Sequence, residues 1–250
     1  MLRLLTRFRT LRGLRPAPEP DRPDRVRSIA IIMDGNARWA RRRGLPVVAG
    51  HRAGTRAARR AIQACLDLDI GSLCIFAFST ENWSRSPEEV RAIMELFGET
   101  IERELPDLMR QRVRVGFVGR RDRAPESVQA KMAFVEAETS ANDRLQLWIA
   151  FDYGGRAEIV EATRRLVEEG LDPRDIDENA IASRLYAPGM PEPDLLIRTS
   201  GELRVSNFLL WQLAYTELVF VDTLWPDFCE RDLRRALDEY ASRRRRFGGR

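Results

Sequence analysis

Lysine is almost missing from this chain. Lys131 is the single one among 42 basic side chains, the others being arginine, and neither a GxxxxGK[ST] loop nor a pyridoxal-like context surrounds it. Walker-type phosphate binding and Schiff-base chemistry are thereby excluded. His51 is the only histidine. The three cysteines, Cys65, Cys74 and Cys229, are odd in number, far apart and free of any CxxC spacing. That argues against a disulfide framework or structural zinc and for a reducing, cytoplasmic setting. No apolar run approaches the roughly 18 residues of a bilayer span, and the first residues lack the apolar core of a secretory signal.

What is present is a globular composition. The 250 residues are 44% apolar and 32% charged, with a net charge of +4, enough material for one sizeable core. Arginine, so dominant here, offers a fixed and always-charged fork suited to phosphate oxygens. The ends differ from the middle. Residues 1–27 mix leucine and arginine and then bring Pro16, Pro18, Pro20 and Pro23. We read 1–25 as a flexible basic arm, suited to touching anionic lipid, and 26–250 as one folded domain. At the far end, Arg243 to Arg246 follow a helix with Leu233, Leu237 and Tyr240 on one face, where cations suit the helix dipole.

Six near-continuous apolar runs predict buried strands: 28–33, 72–78, 113–118, 145–151, 194–197 and 217–221. Runs without a polar face indicate a sheet covered on both sides. Between them lie segments of helical spacing. Val90, Met94, Phe97, Ile101, Leu105 and Leu108 form one stripe, opened by Ser86 as cap and Pro87 at the first position. Ala53, Ala57, Ala61, Ile62 and Cys65 form a second. The alternation predicts a single α/β domain: a six-stranded, mainly parallel, doubly wound sheet flanked by helices.

Three polar clusters begin where three strands end: Asp34 to Trp39, Ser79 to Arg85, and Arg198 to Ser206. Ligands of open parallel sheets bind outside the carboxyl ends of the strands, so the three clusters should share one rim. They supply one candidate metal carboxylate (Asp34), four arginines (Arg38, Arg85, Arg198, Arg204), hydroxyls and glycines. This is a kit for phosphate and a hard divalent cation. Beside it lie the alanine stripe, the helix from Glu88 to Met109, and Trp39, Phe76, Phe78 and Trp83. A charged mouth opening on an apolar cleft fits an amphiphile with a diphosphate head and a hydrocarbon tail.

These stretches resemble the signature of the cis-prenyltransferases, the family of undecaprenyl diphosphate synthases and isoprenyl transferases. The runs Ile29 to Ala40, Gly50 to Gly54, Phe76 to Arg85, Asp152 to Arg156, Asp194 to Ser206, Asn207 to Glu217 and Leu224 to Phe228 match in order, over residues 26 to 248.

The resemblance implies sequential condensation of isopentenyl diphosphate onto an allylic diphosphate such as farnesyl diphosphate, with cis double bonds. It implies an apolar tunnel for the growing chain, Mg²⁺ as cofactor and a homodimer meeting the inner membrane face. Asp34 would hold the metal at the allylic diphosphate, which Gly35, Asn36, Ala37 and Arg38 would cradle, with Trp39 and His51 alongside. Ser79, Thr80, Glu81, Trp83 and Arg85 fall in the family's switch region. Arg198, Arg204, Val205 and Ser206 match the isopentenyl diphosphate grip. Glu217 matches a second metal-associated carboxylate, contributed by the partner subunit. Asn82 matches a residue often named as proton acceptor. A neutral amide is a poor base, so a diphosphate oxygen oriented by Asn82 is the better candidate, and the competing reading of Asn82 is a cap for the following turn.

Three positions depart from the pattern. Ala37 replaces a frequent glycine, Val47 an arginine of some members, and Leu203 a histidine used near the metal. Product length is expected to depend on Ala77 and Leu145, with Trp148 restricting the cavity if its indole points inward. The alternatives are a short-chain synthase, a catalytically silent prenyl-diphosphate-binding subunit, and a nucleic-acid binder. The retained polar residues argue against the second, and the low net charge and missing recognition motif against the third.

Overall fold

The computed structural model describes residues 26–243; the expected arm at 1–25 and the arginines at 244–246 lie outside them. All six expected strands form: β1 (Ser28–Ile32), β2 (Ser72–Ser79), β3 (Val113–Val118), β4 (Leu145–Tyr153), β5 (Leu195–Arg198) and β6 (Glu217–Phe220). They make one sheet in the order β3-β4-β2-β1-β5-β6. Every pairing is parallel, so the sheet is entirely rather than mainly parallel. From β1 the chain places β2 beside it, skips to the edge with β3 and returns to insert β4 between them, then crosses to place β5 and β6 on the other side. The winding reverses between β1 and β5, where the adjoining connections part and leave a crevice at the carboxyl ends.

Among the described residues, six α-helices lie between strands, α1 (Asn36–Arg42), α2 (Val47–Asp67), α3 (Pro87–Arg110), α4 (Glu126–Glu138), α5 (Gly155–Glu168) and α6 (Glu178–Ala182), and a seventh, α7 (Glu230–Ser242), follows β6. The alanine stripe of α2 is buried as Ala53, Ala57, Ala61 and Cys65. Ser86 caps α3 by accepting the Glu89 N–H at 3.3 Å, with Pro87 at the first position, a device worth about 1 kcal/mol. On α7, Leu233 and Tyr240 are buried and Leu237 is partly covered. None of the described helices is long and apolar enough to cross a membrane.

Two apolar layers cover the sheet. Ile29, Ile31, Leu73, Ile75, Leu147 and Phe151 pack with buried residues of α2, α3, α4 and α7. On the other face, Ala30, Cys74, Ala150 and Tyr153 pack with Phe208 and Leu209 from the segment after β5. A register shift in β2 lies between Phe76 and Phe78. The irregularity sends the two rings to opposite faces although they are two residues apart: Phe78 joins the helical layer, while Phe76 stacks on Phe208 at 4.4 Å. The expectation that both flank one cleft is therefore corrected.

Trp148 is corrected as well. It belongs to the second face with Phe76, its ring packed beside Gly116, where a Cβ would come within 2.7 Å of it. Its indole points away from the helical layer and cannot narrow a cavity there.

Candidate active site

The carboxyl ends of β2, β1 and β5 are neighbours in the sheet, and each of the three polar clusters leaves from one of them. Asp34 follows β1. Its N–H donates to the Thr199 hydroxyl at 2.9 Å, and that hydroxyl donates to the Asp34 carbonyl at 2.7 Å. The backbone then turns sharply through Gly35 at φ +112. A side chain there would strain the turn and bring a Cβ within 2.9 Å of Leu224. The helix that follows leaves the first-turn N–H groups without intrahelical acceptors and carries Arg38 back over Asp34.

Arg198, the last residue of β5, is 3% exposed. Its Nη2 donates to Asp34 Oδ2 at 2.9 Å, while Nη1 donates to the Arg204 carbonyl at 2.6 Å and to Ser206 Oγ at 2.7 Å. Arg38 reaches Asp34 Oδ1 at 3.2 Å and Glu202 Oε1 at 3.1 Å, and donates to the Ser200 carbonyl and hydroxyl. Glu202 also pairs with Arg204 at 2.5 Å. Five of the expected residues thus form one network. Burial pushes the Asp34 carboxyl up, but hydrogen bonds and charge from Arg198 and Arg38 outweigh it and hold the group below the usual carboxylate range. Asp34 is ionised at neutral pH. Val205 is set apart from this network, packed against the apolar layer of the second face.

The segment after β2 forms a 3-10 turn, Thr80–Ser84. Ser79 N–H donates to Asn82 Oδ1 at 3.0 Å and the Ser79 side chain accepts from the Asn82 N–H, a reciprocal capping box. The capping reading of Asn82 is therefore correct as local structure. Its amide oxygen is committed to the backbone, leaving the NH₂ end as the half that can orient a ligand. Glu81 accepts from Asn207 Nδ2 at 3.0 Å. Burial pushes the Glu81 carboxyl up, but hydrogen bonds from Asn207, the backbone, Ser79 and Thr80 outweigh it and hold the group below its usual range. Thr80 sits against Gly154 and Asn207: a Cβ on Gly154 would lie 2.7 Å from Thr80 Oγ1 and 2.8 Å from Asn207 Nδ2.

His51 and Arg85 stand apart from Asp34. Both reach Glu89 on α3, at 3.7 Å and 2.6 Å. Burial and the charge of Arg85 push the His51 imidazole below its ordinary pKa against the pull of Glu89. Trp39 also turns aside, its indole N–H donating to Asp227 at 2.7 Å. Glu217 starts β6, opposite Leu195 at the start of β5, so it lies at the other rim from Asp34. Its carboxylate pairs with Arg243 at 2.7 Å.

Between α2, α3 and the sheet lies an apolar cavity of about 100 Å³, lined among others by Ala58, Ile62, Ile101, Val115, Leu147 and Ile149. Ala77 and Leu145 do not line it. Glu202, Asn207 and Thr199 are the site residues that sequence reasoning did not single out. The carboxylate between two arginines in the run Arg198 to Arg204 was the readable signal for Glu202. Asn207 opens one of the matched runs, but its left-handed φ of +62 and its three hydrogen bonds, to Glu81, Arg156 and Gly155, emerge only from the fold.

A cation would find two carboxylates in this network, Asp34 and Glu202, each paired with arginines. No cluster of three or more acidic, histidine or cysteine side chains occurs among the described residues. Magnesium typically uses one or two carboxylates with substrate phosphates and retained waters, and ionised, partly exposed Asp34 between two arginines fits that pattern.

A parallel α/β sheet with two carboxylates and converging arginines at one rim, and an apolar cavity on its helical face, defines a protein built to handle an anionic amphiphile. Comparison with known proteins makes this specific. Residues 32–248 match the prenyltransferase family model described as "Putative undecaprenyl diphosphate synthase". A ditrans,polycis-undecaprenyl-diphosphate synthase, (2E,6E)-farnesyl-diphosphate specific, of Xanthomonas oryzae is 51% identical over 92% of this chain and 91% of its own. An isoprenyl transferase of Thermotoga maritima is 49% identical over 88% and 96%. Among solved structures, lavandulyl diphosphate synthase from Lavandula x intermedia, in complex with dimethylallyl diphosphate, superposes with a TM-score of 0.87 at 38% identity, covering 91% of this chain and all of that one. The chain belongs to the cis-prenyltransferase family.

Proposed function

We propose that this chain condenses isopentenyl diphosphate sequentially onto farnesyl diphosphate, adding cis double bonds to give undecaprenyl diphosphate. The observation that carries the reading is the Asp34–Arg198–Ser206 chain of contacts at the sheet's reversal point, with an apolar cavity between α2, α3 and the same sheet. The Xanthomonas relative bears the name of this reaction.

In this reading Gly35, Asn36, Ala37 and Arg38 hold the allylic diphosphate, and Arg198, Arg204 and Ser206 hold that of isopentenyl diphosphate. Arg198, touching both Asp34 and Ser206, is the shared wall between two heads that repel each other. Fixing them side by side supplies the orientational part of the rate. Asp34 would hold Mg²⁺, which neutralises charge on the departing diphosphate as the allylic C–O bond breaks. Arg38 and the first-turn N–H groups are aimed at the same developing charge. The homoallylic double bond closes the new C–C bond, and a diphosphate oxygen, positioned by the Asn82 amide N–H, takes the proton released. Glu217 acts in the partner's site of a homodimer. The enzyme works in the cytoplasm, at the inner membrane face where its lipid product is used.

The test is incubation of the purified chain with Mg²⁺, farnesyl diphosphate and radiolabelled isopentenyl diphosphate, followed by product chromatography. A ladder ending at undecaprenyl length is expected. Absence of incorporation would assign the chain to a silent subunit, and products of one or two additions to a short-chain synthase.

A further inference from the structure

Asp152 stands next to last in β4, within the motif from Asp152 to Arg156 that the chemistry above leaves unused. Its side chain is 1% exposed. Its backbone takes φ +43, a left-handed conformation in which aspartate and asparagine are enriched over other non-glycine residues. Oδ1 accepts the indole N–H of Trp83 at 2.7 Å. Oδ2 is buried with no hydrogen-bond partner among the described residues. The Arg123 guanidinium covers the Trp83 ring at 4.4 Å from its centroid, and its Nη1 stays 3.8 Å from Oδ1. Phe78 meets the same indole edge-to-face at 5.0 Å. Trp83 is therefore gripped by a cation, an aromatic edge and a buried acceptor, and it belongs to the turn Thr80–Ser84 beside Asn82.

We propose that Asp152 is a positioning residue. By accepting the indole N–H it fixes Trp83, and through Trp83 it holds the turn that presents Glu81 and Asn82 to the site. The inference rests on the proposed prenyl transfer for its kinetic consequences. The hydrogen bond, rather than the charge, is what matters. Arg123 is too far for a direct bond to the carboxylate, and burial lifts the Asp152 carboxyl above its usual range despite the Trp83 bond and the nearby arginines. An asparagine supplies the same acceptor and tolerates the same φ.

Three variants test this in the full chain: Asp152→Asn, Asp152→Ala and Trp83→Phe. Asp152→Asn should keep kcat/KM within about threefold of the parent, whereas Asp152→Ala and Trp83→Phe should each lose roughly tenfold or more. The Trp83→Phe/Asp152→Ala double variant should lose no more than the worse single one. Hydrogen exchange over residues 79–85 should quicken in Asp152→Ala and Trp83→Phe and stay unchanged in Asp152→Asn. This readout needs no turnover, so an inactive parent would refute the reaction while leaving the clamp under test. Parental exchange in Trp83→Phe would overturn the proposal even if Asp152→Ala does not fold. So would an Asp152→Asn variant as impaired as Asp152→Ala, because charge would then be the operative feature.

Discussion

Asp34 and Arg198 meet 2.9 Å apart across the β1–β5 seam, where the winding of the sheet reverses. The arginine is almost wholly enclosed, and Asp34 is its carboxylate partner. Removing one member of a buried pair leaves an uncompensated charge, whereas exposure of the Asp34 side chain (29%) softens that loss. Asp34→Ala should lower stability by roughly 2 kcal/mol and cut turnover by about a thousandfold or more. Denaturant titration and label incorporation check the two effects separately; a variant with near-parental turnover would remove Asp34 from the chemistry.

Ala58 projects from α2 into the apolar cavity, where Ala77 and Leu145 do not. Ala58→Leu should fill space at that wall and shift the product ladder toward shorter chains, with the first condensation changed by no more than about twofold. Reverse-phase chromatography of dephosphorylated products reads this directly. An unaltered ladder would show that the hydrocarbon grows elsewhere.

His51 makes stability depend on pH in a stated direction. Its folded-state pKa is depressed, so below about pH 6.5 the unfolded chain binds a proton that the folded chain resists. Stability should therefore fall as the pH drops from about 6.5 toward the lowered value, with a slope of at most about 1.4 kcal/mol per pH unit from this group. The melting temperature of the parent minus that of His51→Gln should decrease as the pH falls from neutrality to about 5. Parallel curves would contradict the assignment.

Glu217 and Asp34 lie at opposite rims of one chain, which gives the proposed homodimer a sharp test. Asp34→Ala and Glu217→Ala proteins, each inactive alone, should recover activity when unfolded together and refolded as a mixture, since half of the mixed dimers' sites then contain both carboxylates. The Arg243 pair is partly exposed, so Glu217→Ala should cost no more than about 1 kcal/mol in stability. A mixture as inactive as its components would place Glu217 outside the partner's site.

The strands were legible because burial on both faces leaves no polar alternation, and β1 is buried at every position. Their shared rim followed from parallel geometry alone, which is why Asp34, Arg38, Arg198, Arg204 and Ser206 could be grouped before any coordinates. Side-chain direction was harder. The irregularity at Phe76–Phe78 breaks the two-residue period, so Phe78, which counting from Cys74 and Phe76 would put on the second face, turns to the helical one. Trp148 is placed by sheet facing, which a bulky apolar letter does not disclose. Asp152 and Asn207 depend on left-handed backbone and on partners 69 and 126 positions away, information that no local pattern carries.

Gly50 and Gly54 press α2 against the loop that begins the site. A Cβ at Gly50 would stand 2.1 Å from the Asn36 carbonyl, one at Gly54 2.5 Å from Asn36 Oδ1, and the Gly54 carbonyl is pinned by the Trp225 indole at 2.9 Å. The cavity beneath is equivalent to only about three waters in liquid volume, far too little for a long hydrocarbon. On the α3 side, Pro106 leaves a gap in the helix's hydrogen-bond ladder. With α2 pinned to the loop that begins the site, a hydrocarbon growing in this cavity would have to widen it from the α3 side, and chain length would be set by how far that helix yields.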